Sequence, residues 1–288
     1  MMQLEPGSTS YEVVVPGGTL AAQRLGDGEV AMLLHGGPGL SEYLGELAAE
    51  VRGAGVATLR YQQRGVSPST VNGPFDVEQH AADAVSVLDA AEVERAWLVG
   101  HSWGGYLALQ VATRTPERVR GVLAIGTQGA VGDGGVSQLG PNLLSRIDDD
   151  ARAEIEELEA REAAGISSEE DSLRGFVLSW PGYFGDPRSA PPPPIDMLMS
   201  ERCFRETLAS VDRDAPRLAT AIAGCQVRVV FLHGALDPID PEASARATAS
   251  SLPHAEVILL PAVGHFPWLE RPGVVADAFA ALYAAPAA

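Results

Sequence analysis

Short, mainly apolar segments recur along the first 129 residues of the chain, at 30–37, 56–61, 95–100 and 119–126. The first of them, "VAMLLHGG", is a continuous apolar run that ends in glycines. Runs of this kind predict strands that are buried on both faces of a parallel sheet. Before them, the segments 11–15 and 19–25 flank the turn "PGG" and predict a strand pair.

The segments between these runs carry apolar residues at helical spacing. Helices are predicted from a cap at Ser41 to about Arg52, from a cap at Asp76, and over 103–114. Strands that alternate with helices in this way predict an α/β protein. Its central sheet is expected to be mostly parallel, with helices on both faces.

The pattern changes between 130 and 224, where no parallel-strand signature is present. Amphipathic segments at 148–165, 167–180 and 195–210 predict helices, and "PPPP" at 191–194 predicts a rigid connector. Strand and helix signals then resume, with strands predicted at 227–234 and 255–260 and helices near 242–251 and from Pro272. We therefore expect a core made of 1–129 and 225–288, interrupted by a helical lid at 130–224, which is far longer than an ordinary loop.

Composition and charge exclude several classes of function. The net charge of −18 argues against nucleic acid or an anionic membrane as a partner. The chain has no lysine, so a Schiff base, a pyridoxal-phosphate anchor and a P-loop lysine are all excluded. Neither a CxxC pair nor an HExxH helix is present, so we expect no metal site and no cofactor. The remaining chemistry belongs to serine, histidine and carboxylates.

The same composition indicates where the protein works. Hydrophobic residues make up 46% of the chain, but no apolar run reaches the length of about 18 residues that a membrane span needs. The first residues, "MMQLEPGSTS", do not resemble a secretory signal, and two cysteines make no disulfide framework. We therefore expect a cytoplasmic protein, and the oligomeric state stays open.

One serine lies in a G-x-S-x-G pattern, Gly100-His101-Ser102-Trp103-Gly104. The pattern is common by chance, and it is equally compatible with a tight strand–helix turn that carries no chemistry. Its position between a predicted buried strand and a predicted helix favours a nucleophile elbow, in which the serine adopts a strained backbone conformation and needs small neighbours. Ser102 is therefore the candidate nucleophile.

A serine nucleophile needs a base and an acid that orients the base, and in this arrangement the acid precedes the histidine along the chain. Asp237 follows the predicted strand 227–234, and His265 lies in the loop after the next strand. Asp240 competes with Asp237, but its place before Pro241 is typical of a helix start. His254 lies before a strand at the far edge of the sheet. Structural or packing roles are expected for the histidines that precede the acid: His35, His80, His101 and His233.

Acyl transfer also needs hydrogen-bond donors for the oxyanion. One is expected to be the N–H of Trp103, the residue after the nucleophile. The other is expected from Gly37 in "HGGPG", at the end of the segment 30–37, where no side chain obstructs the N–H. Alone, "HGGPG" would be a generic Gly/Pro turn, but after that strand it fits the oxyanion segment.

With these motifs, the chain resembles the α/β-hydrolase superfamily and, within it, the proline iminopeptidase (prolyl aminopeptidase) family. "HGGPG" at 35–39 and "GHSWGG" at 100–105 are similar to that family's oxyanion and elbow segments. "YQQRGVSPS" at 61–69 looks like its D-Q-R-G-x-G-x-S stretch, with Gln62 in place of Asp and Ser67 in place of Gly. The acid and base segments resemble the family's as well.

The resemblance implies lid glutamates that hold the free α-amine of the substrate. Glu201 lies where one of them is expected, although a solvated surface charge is the alternative. A second family carboxylate is missing, because Trp180 is followed by Pro181, and Pro238 follows the acid where some relatives have Glu. Another lid acid could substitute for it: Glu169, Glu170 or Asp171. Trp180, with the nearby Tyr183 and Phe184, is expected either to line an apolar pocket or to pack in the lid.

These observations predict a serine hydrolase that works through an acyl-enzyme. The resemblance implies a small amide with a free N-terminal amine as substrate, either a short peptide or an aminoacylated small molecule. The alternatives are an esterase or lactonase acting on an apolar small molecule, and a non-catalytic ligand receptor on the same fold. Epoxide hydrolysis and dehalogenation are disfavoured, because those relatives have Asp where this chain has Ser102.

Overall fold

Eight strands form a central sheet in the computed structural model, which describes residues 4–70, 73–194 and 196–283. The spatial order is β1-β2-β4-β3-β5-β6-β7-β8; β1 pairs with β2 and β2 with β4 antiparallel, and all other pairs are parallel. The strands are β1 (Thr9–Val15), β2 (Gly18–Leu25), β3 (Val30–Leu34), β4 (Ala57–Tyr61), β5 (Ala96–His101), β6 (Val119–Ile125), β7 (Val229–Gly234) and β8 (Ala255–Leu260). Every residue of β3, β4, β5 and β7 is buried, as their apolar runs predict.

Helices cover both faces of this sheet. On one face, α2 (Val77–Ala90) and α3 (Trp103–Arg114) pack into a core with the strands. On the other face, α1 (Gly45–Arg52) and the last helix pack into a second core. The sequence-predicted α/β fold with helices on both faces is confirmed.

The first two helix starts differ in how well the sequence predicts them. Asp76 caps α2 as expected, and its Oδ1 accepts the Gln79 N–H at 2.8 Å. Ser41, however, does not cap α1, which begins at Gly45. The Ser41 hydroxyl accepts the N–H of Leu198 at 2.7 Å, so a partner far along the chain has taken the oxygen that a helix cap would need.

Between β6 and β7, the described residues form helices and connecting segments. The α-helices are α4 (Leu139–Leu144), α5 (Asp149–Ala163), α6 (Glu169–Ser179) and α7 (Glu201–Ile222). The helix predicted over 195–210 begins only at Glu201, where Ser200 provides the cap, and Ile195 lies outside the described residues. The preceding residues pair instead with the "HGGPGL" segment, because Ser200 N–H bonds Gly39 O at 2.8 Å and Met199 forms an isolated bridge with Leu40.

The long helix α7 belongs to two environments. Its first half carries residues that line the cavity described below. In its second half, Leu218 and Ile222 are fully buried among the residues of the α2–α3 core. The segment 130–224 predicted as the lid therefore includes a stretch that packs with the core.

The last part of the chain returns to the sheet. The helix predicted near 242–251 is a π-helical turn, Glu242–Arg246, followed by the short α8 (Ala247–Ala249). After β8 come α9 (Pro267–Glu270) and α10 (Val274–Tyr283), so the last long helix begins slightly later than the expected Pro272. The outermost residues of the predicted core, 1–3 and 284–288, lie outside the described residues.

Candidate active site

Ser102 lies at the tip of a sharp turn between β5 and α3. Its φ of +55° is a left-handed conformation that side chains other than glycine rarely adopt. Two flanking glycines make the turn possible, since a Cβ at Gly100 would come within 2.2 Å of Gly104 O and one at Gly104 within 1.9 Å of Leu34 O. A hydrogen bond from the Ser102 N–H to Ile125 O, at 2.8 Å, helps to hold Ser102 in this strained conformation. This is the backbone of a nucleophile elbow.

His265 and Asp237 meet beyond the ends of β8 and β7. The Nδ1 of His265 lies 3.0 Å from each carboxylate oxygen of Asp237. Because a carboxylate only accepts, Nδ1 carries a proton, which leaves Nε2 as the ring nitrogen that would act as the base. The structure brings Asp237 to His265, whereas the Asp240 carboxylate accepts the N–H of Glu242 at 2.9 Å, as a helix-start residue does.

A second histidine approaches the same carboxylate. Nε2 of His233, at the end of β7, lies 3.3 Å from Oδ2 of Asp237, and all three side chains are buried. Burial by itself would raise the pKa of Asp237, but the adjacent His265 and His233 lower it well below the usual value. Asp237 is therefore a carboxylate that stays ionised. The sequence predicted only a structural or packing role for His233.

The two residues expected to stabilise the oxyanion, Gly37 and Trp103, both line the cavity that Ser102 lines. Gly37 has a φ of +59°, and its carbonyl accepts the Leu40 N–H at 2.9 Å in a tight turn. Trp103 is the first residue of α3, so its N–H precedes the hydrogen bonds of the helix and is free to face a ligand. Both residues line the same cavity as Ser102 and His265.

The two glutamines of the "QQRG" motif form hydrogen bonds with the segments that contain Gly37 and Trp103. Gln63 accepts the Trp103 indole N–H on Oε1 at 2.9 Å and donates from Nε2 to His35 O at 2.8 Å. Its neighbour Gln62 donates to Leu40 O at 3.0 Å. The motif that the resemblance singled out therefore acts as a frame that joins the "HGGPG" loop to the start of α3.

A cavity of about 820 Å³ is lined by residues of the segment 130–224 and of the segments on either side of it. Most of the cavity wall is apolar. Trp180 belongs to this wall, which agrees with the first of its two expected roles, lining an apolar pocket. Trp180 is buried and its indole N–H is already engaged, donating to Pro191 O at 2.7 Å, so it offers the cavity an apolar surface. Other apolar side chains on the lining are Phe176, Met197, Phe204, Leu208, Val211 and Phe266.

Several lining residues were not expected from the sequence. Tyr43, Phe266 and Trp268 contribute from the core, and the proline run expected to be a rigid connector contributes Pro191, Pro192 and Pro194. In a chain that is nearly half apolar, such residues carry no signal that separates a cavity wall from a core. The one available hint was position, because Phe266 and Trp268 directly follow the candidate base.

Glu201 does not lie on the cavity lining. As the first residue of α7, its carboxylate pairs with Arg205 one turn later at 2.9 Å. The register set by the Ser200 cap explains this outcome, because residues four apart share a helix face. The geometry therefore does not support the expected contact between Glu201 and a substrate amine.

The other lid acids considered for this role do not reach the cavity either. Glu169, Glu170 and Asp171 form the first turn of α6, and Asp171 pairs with Arg161. Two different carboxylates contribute to the lining, Glu46 of α1 and Asp212 of α7, and both residues are exposed.

Among the residues that the structure describes, no group of three or more His, Cys, Asp or Glu side chains is arranged to hold a metal ion. Within the same ranges, no helix has the length and apolar character needed to cross a membrane.

The chain as a whole is similar to one known family. The model described as "Alpha/beta hydrolase family" matches residues 31–278, a range that contains all the candidate site residues. The chain belongs to the alpha/beta hydrolase family. This membership agrees with the eight-stranded, mostly parallel sheet.

Relatives within the family are distant. The 2-hydroxymuconate semialdehyde hydrolase of Pseudomonas sp. (strain CF600) is 34% identical over 125 residues, which are 41% of this chain and 43% of that enzyme. The match therefore spans less than half of the length of that curated relative. Its name, like the family's, is that of a hydrolase, and the substrate it names is a small molecule.

Two solved structures share the whole fold. Proline iminopeptidase of Mycobacterium smegmatis aligns with a TM-score of 0.66 at 19% identity, covering 96% of this chain and 98% of that chain. VinJ aligns with a TM-score of 0.70 at 22% identity, covering 94% and 97%. Likeness at these identities shows the fold alone, so the proline iminopeptidase family is one neighbour among others within the larger family.

Proposed function

We propose that the protein is a serine hydrolase that cleaves esters of small, apolar carboxylic acids through an acyl-enzyme. The observation that carries this proposal is the cavity, in which Ser102 and His265 face a wall that is mostly apolar. A neutral, apolar acyl group gains from burial against such a wall. This is the esterase alternative of the sequence analysis, and the position of Glu201 favours it over a free-amine substrate.

The proposed chemistry uses the hydrogen-bonded pair of Asp237 and His265 together with Ser102. Nε2 of His265 takes the proton of Ser102 as the hydroxyl oxygen attacks the ester carbonyl, while Asp237 holds Nδ1–H and stabilises the imidazolium. The N–H groups of Gly37 and Trp103 stabilise the negative oxygen of the tetrahedral intermediate. The imidazolium then protonates the leaving alkoxide, and water hydrolyses the acyl-enzyme by the same steps.

The aminopeptidase-type activity expected from the sequence is the second candidate. Glu46 and Asp212 favour it, because they bring two carboxylates to the lining of the cavity. A free α-amine bound there would form a charge-assisted hydrogen bond. For this candidate, Glu46→Gln or Asp212→Asn would lower turnover of free-amine substrates and leave their N-acetylated forms unchanged.

A pair of anilides separates the two candidates. The p-nitroanilides of propanoate and alanine differ only in the amine, and p-nitrophenyl propanoate provides the ester reference. For an apolar acyl site we expect kcat/KM to be lower for the alanyl anilide by at least about tenfold, because burying an unpaired ammonium is unfavourable. The reverse preference would establish the free-amine candidate. Absence of turnover with all three substrates would contradict the proposed esterase activity.

A further inference from the structure

A tyrosine and a histidine that the proposed reaction does not use lie directly beside the active site. Tyr43 lines the cavity, and His101 is the residue before the nucleophile. The Tyr43 hydroxyl lies 2.6 Å from Nδ1 of His101 and accepts the N–H of Gly36 at 3.0 Å. On the other side of the ring, Nε2 of His101 lies 2.9 Å from the main-chain oxygen of His265. Three hydrogen bonds therefore connect the oxyanion segment to the loop that carries the base.

The direction of each of these bonds is determined by its partners. The carbonyl of His265 only accepts, so Nε2 of His101 must carry a proton. Burial lowers the pKa of His101 well below its usual value, so the ring is neutral and Nδ1 is an acceptor. The Tyr43 hydroxyl must then donate to Nδ1, and its lone pair receives the Gly36 N–H. Each group has one role in the series.

The ends of this series are at the two places where the reaction needs precision. Gly36 immediately precedes the expected oxyanion donor Gly37, and a Cβ at Gly36 would lie 2.4 Å from the Tyr43 hydroxyl and 2.8 Å from Cβ of Ser102. At the other end, the His265 main chain is also held by its N–H, which donates to Tyr183 O at 2.7 Å. The His101 ring itself packs 4.6 Å from the ring of His265, measured between centroids.

We propose that Tyr43 and His101 are positioning residues that hold the oxyanion segment and the His265 loop in one fixed relation. This inference rests on the proposed function, because it assigns roles to Gly37 and His265 in acyl transfer. The hydroxyl of Tyr43 matters for this role, not the ring, because packing alone would be satisfied by phenylalanine. Oxyanion donors and a general base must be positioned to well under 1 Å for full catalysis. Greater freedom of the oxyanion segment relative to the His265 loop therefore lowers turnover more than it weakens substrate binding.

Tyr43→Phe is the direct test, with Tyr61→Phe as its matched control. Tyr61 is fully buried whereas Tyr43 is partly buried, and the Tyr61 hydroxyl has no hydrogen-bond partner among the described residues. With p-nitrophenyl propanoate we expect Tyr43→Phe to lower kcat by about tenfold to a hundredfold with KM within about twofold, because two partly buried hydrogen bonds are lost. Tyr61→Phe should leave both constants within about twofold.

A transition-state analogue distinguishes positioning from a general loss of stability. An alkyl boronic acid forms a tetrahedral adduct with a catalytic serine, so its Ki should rise in Tyr43→Phe by the same factor as kcat/KM falls. The Ki of the corresponding carboxylic acid, which forms no such adduct, should not change. Unchanged kcat, or an equal weakening of both inhibitors, would overturn the proposal.

A second variant keeps the test decisive if Tyr43→Phe does not fold. In His101→Gln the amide can still donate to His265 O but cannot also reach the Tyr43 hydroxyl, so an intermediate loss of kcat is expected. Where both variants fold, the effect of Tyr43→Phe should be smaller in the His101→Gln background, because the two residues act in series. Equal effects in both backgrounds, or full activity of His101→Gln, would contradict the proposal. Wild-type inactivity would instead contradict the proposed function.

Discussion

At the scale of single residues, Asp237 and Asp240 show what the sequence could and could not determine. Both follow the same strand, and only a positional preference separated them before the structure placed Asp237 within 3.0 Å of His265. Asp237→Asn should lower kcat by orders of magnitude, about 10⁴-fold by analogy with other triads, because an amide can donate to Nδ1 and stabilise the wrong tautomer. Asp240→Asn is the control, and steady-state kinetics with p-nitrophenyl propanoate measures both. Equal losses in the two variants would refute the assignment.

The residues that the sequence missed share a physical reason. Tyr43 and Trp268 are ordinary aromatic residues in the sequence, and their importance depends on contacts with residues more than fifty positions away. The prediction for Glu201 was wrong for a different reason. The family motif led us to expect Glu201 near the substrate, but the register of α7 pairs its carboxylate with Arg205. Motifs with backbone requirements, such as the elbow around Ser102, could be predicted because the glycines themselves are the requirement.

At the scale of elements, one carboxylate joins the segment 130–224 to the loop that carries His265. Glu270 of α9 accepts the Gly185 N–H at 2.8 Å and the Gly264 N–H at 2.7 Å, the latter directly before His265. Glu270→Gln replaces one acceptor oxygen with a donor, so one N–H loses its partner. We expect a loss of about 1–3 kcal/mol in the free energy of unfolding, measured by urea denaturation, together with a lower kcat. Glu256→Gln, on an exposed salt bridge of β8, provides the control.

The pH dependence of this effect has a definite sign. Burial raises the pKa of Glu270 above its usual value near 4.5, so the folded state binds the proton more tightly than the unfolded state. The contribution of this ionisation to stability is therefore fully present below the unfolded pKa and is lost as the pH rises through the folded pKa. The stability advantage of wild type over Glu270→Gln should be larger at pH 4.5 than at pH 7, and a smaller advantage at pH 4.5 would contradict this account.

At the scale of the whole molecule, the sheet could be predicted but the cavity could not. Buried strands can be recognised in the sequence as mainly apolar segments. The cavity forms where the helices of the segment 130–224 meet the sheet, and its shape depends on packing between distant segments.

Leu208→Ala of α7 enlarges this cavity. We therefore expect kcat/KM for p-nitrophenyl acetate to fall about threefold to tenfold, whereas kcat/KM for p-nitrophenyl octanoate is unchanged or higher. Leu198→Ala is the control, since Leu198 is exposed and does not line the cavity. An equal change for all chain lengths would argue against a role in acyl selection.

Labelling of Ser102 by a fluorophosphonate tests the central claim most directly. The reagent reacts with a serine that a neighbouring base has activated, and peptide mapping by mass spectrometry identifies the modified residue. We predict one adduct per chain, on Ser102, with loss of esterase activity in proportion to labelling and no adduct in a folded Ser102→Ala variant. A folded wild-type protein that stays unlabelled at Ser102, or keeps its activity when Ser102 is labelled, would contradict the account.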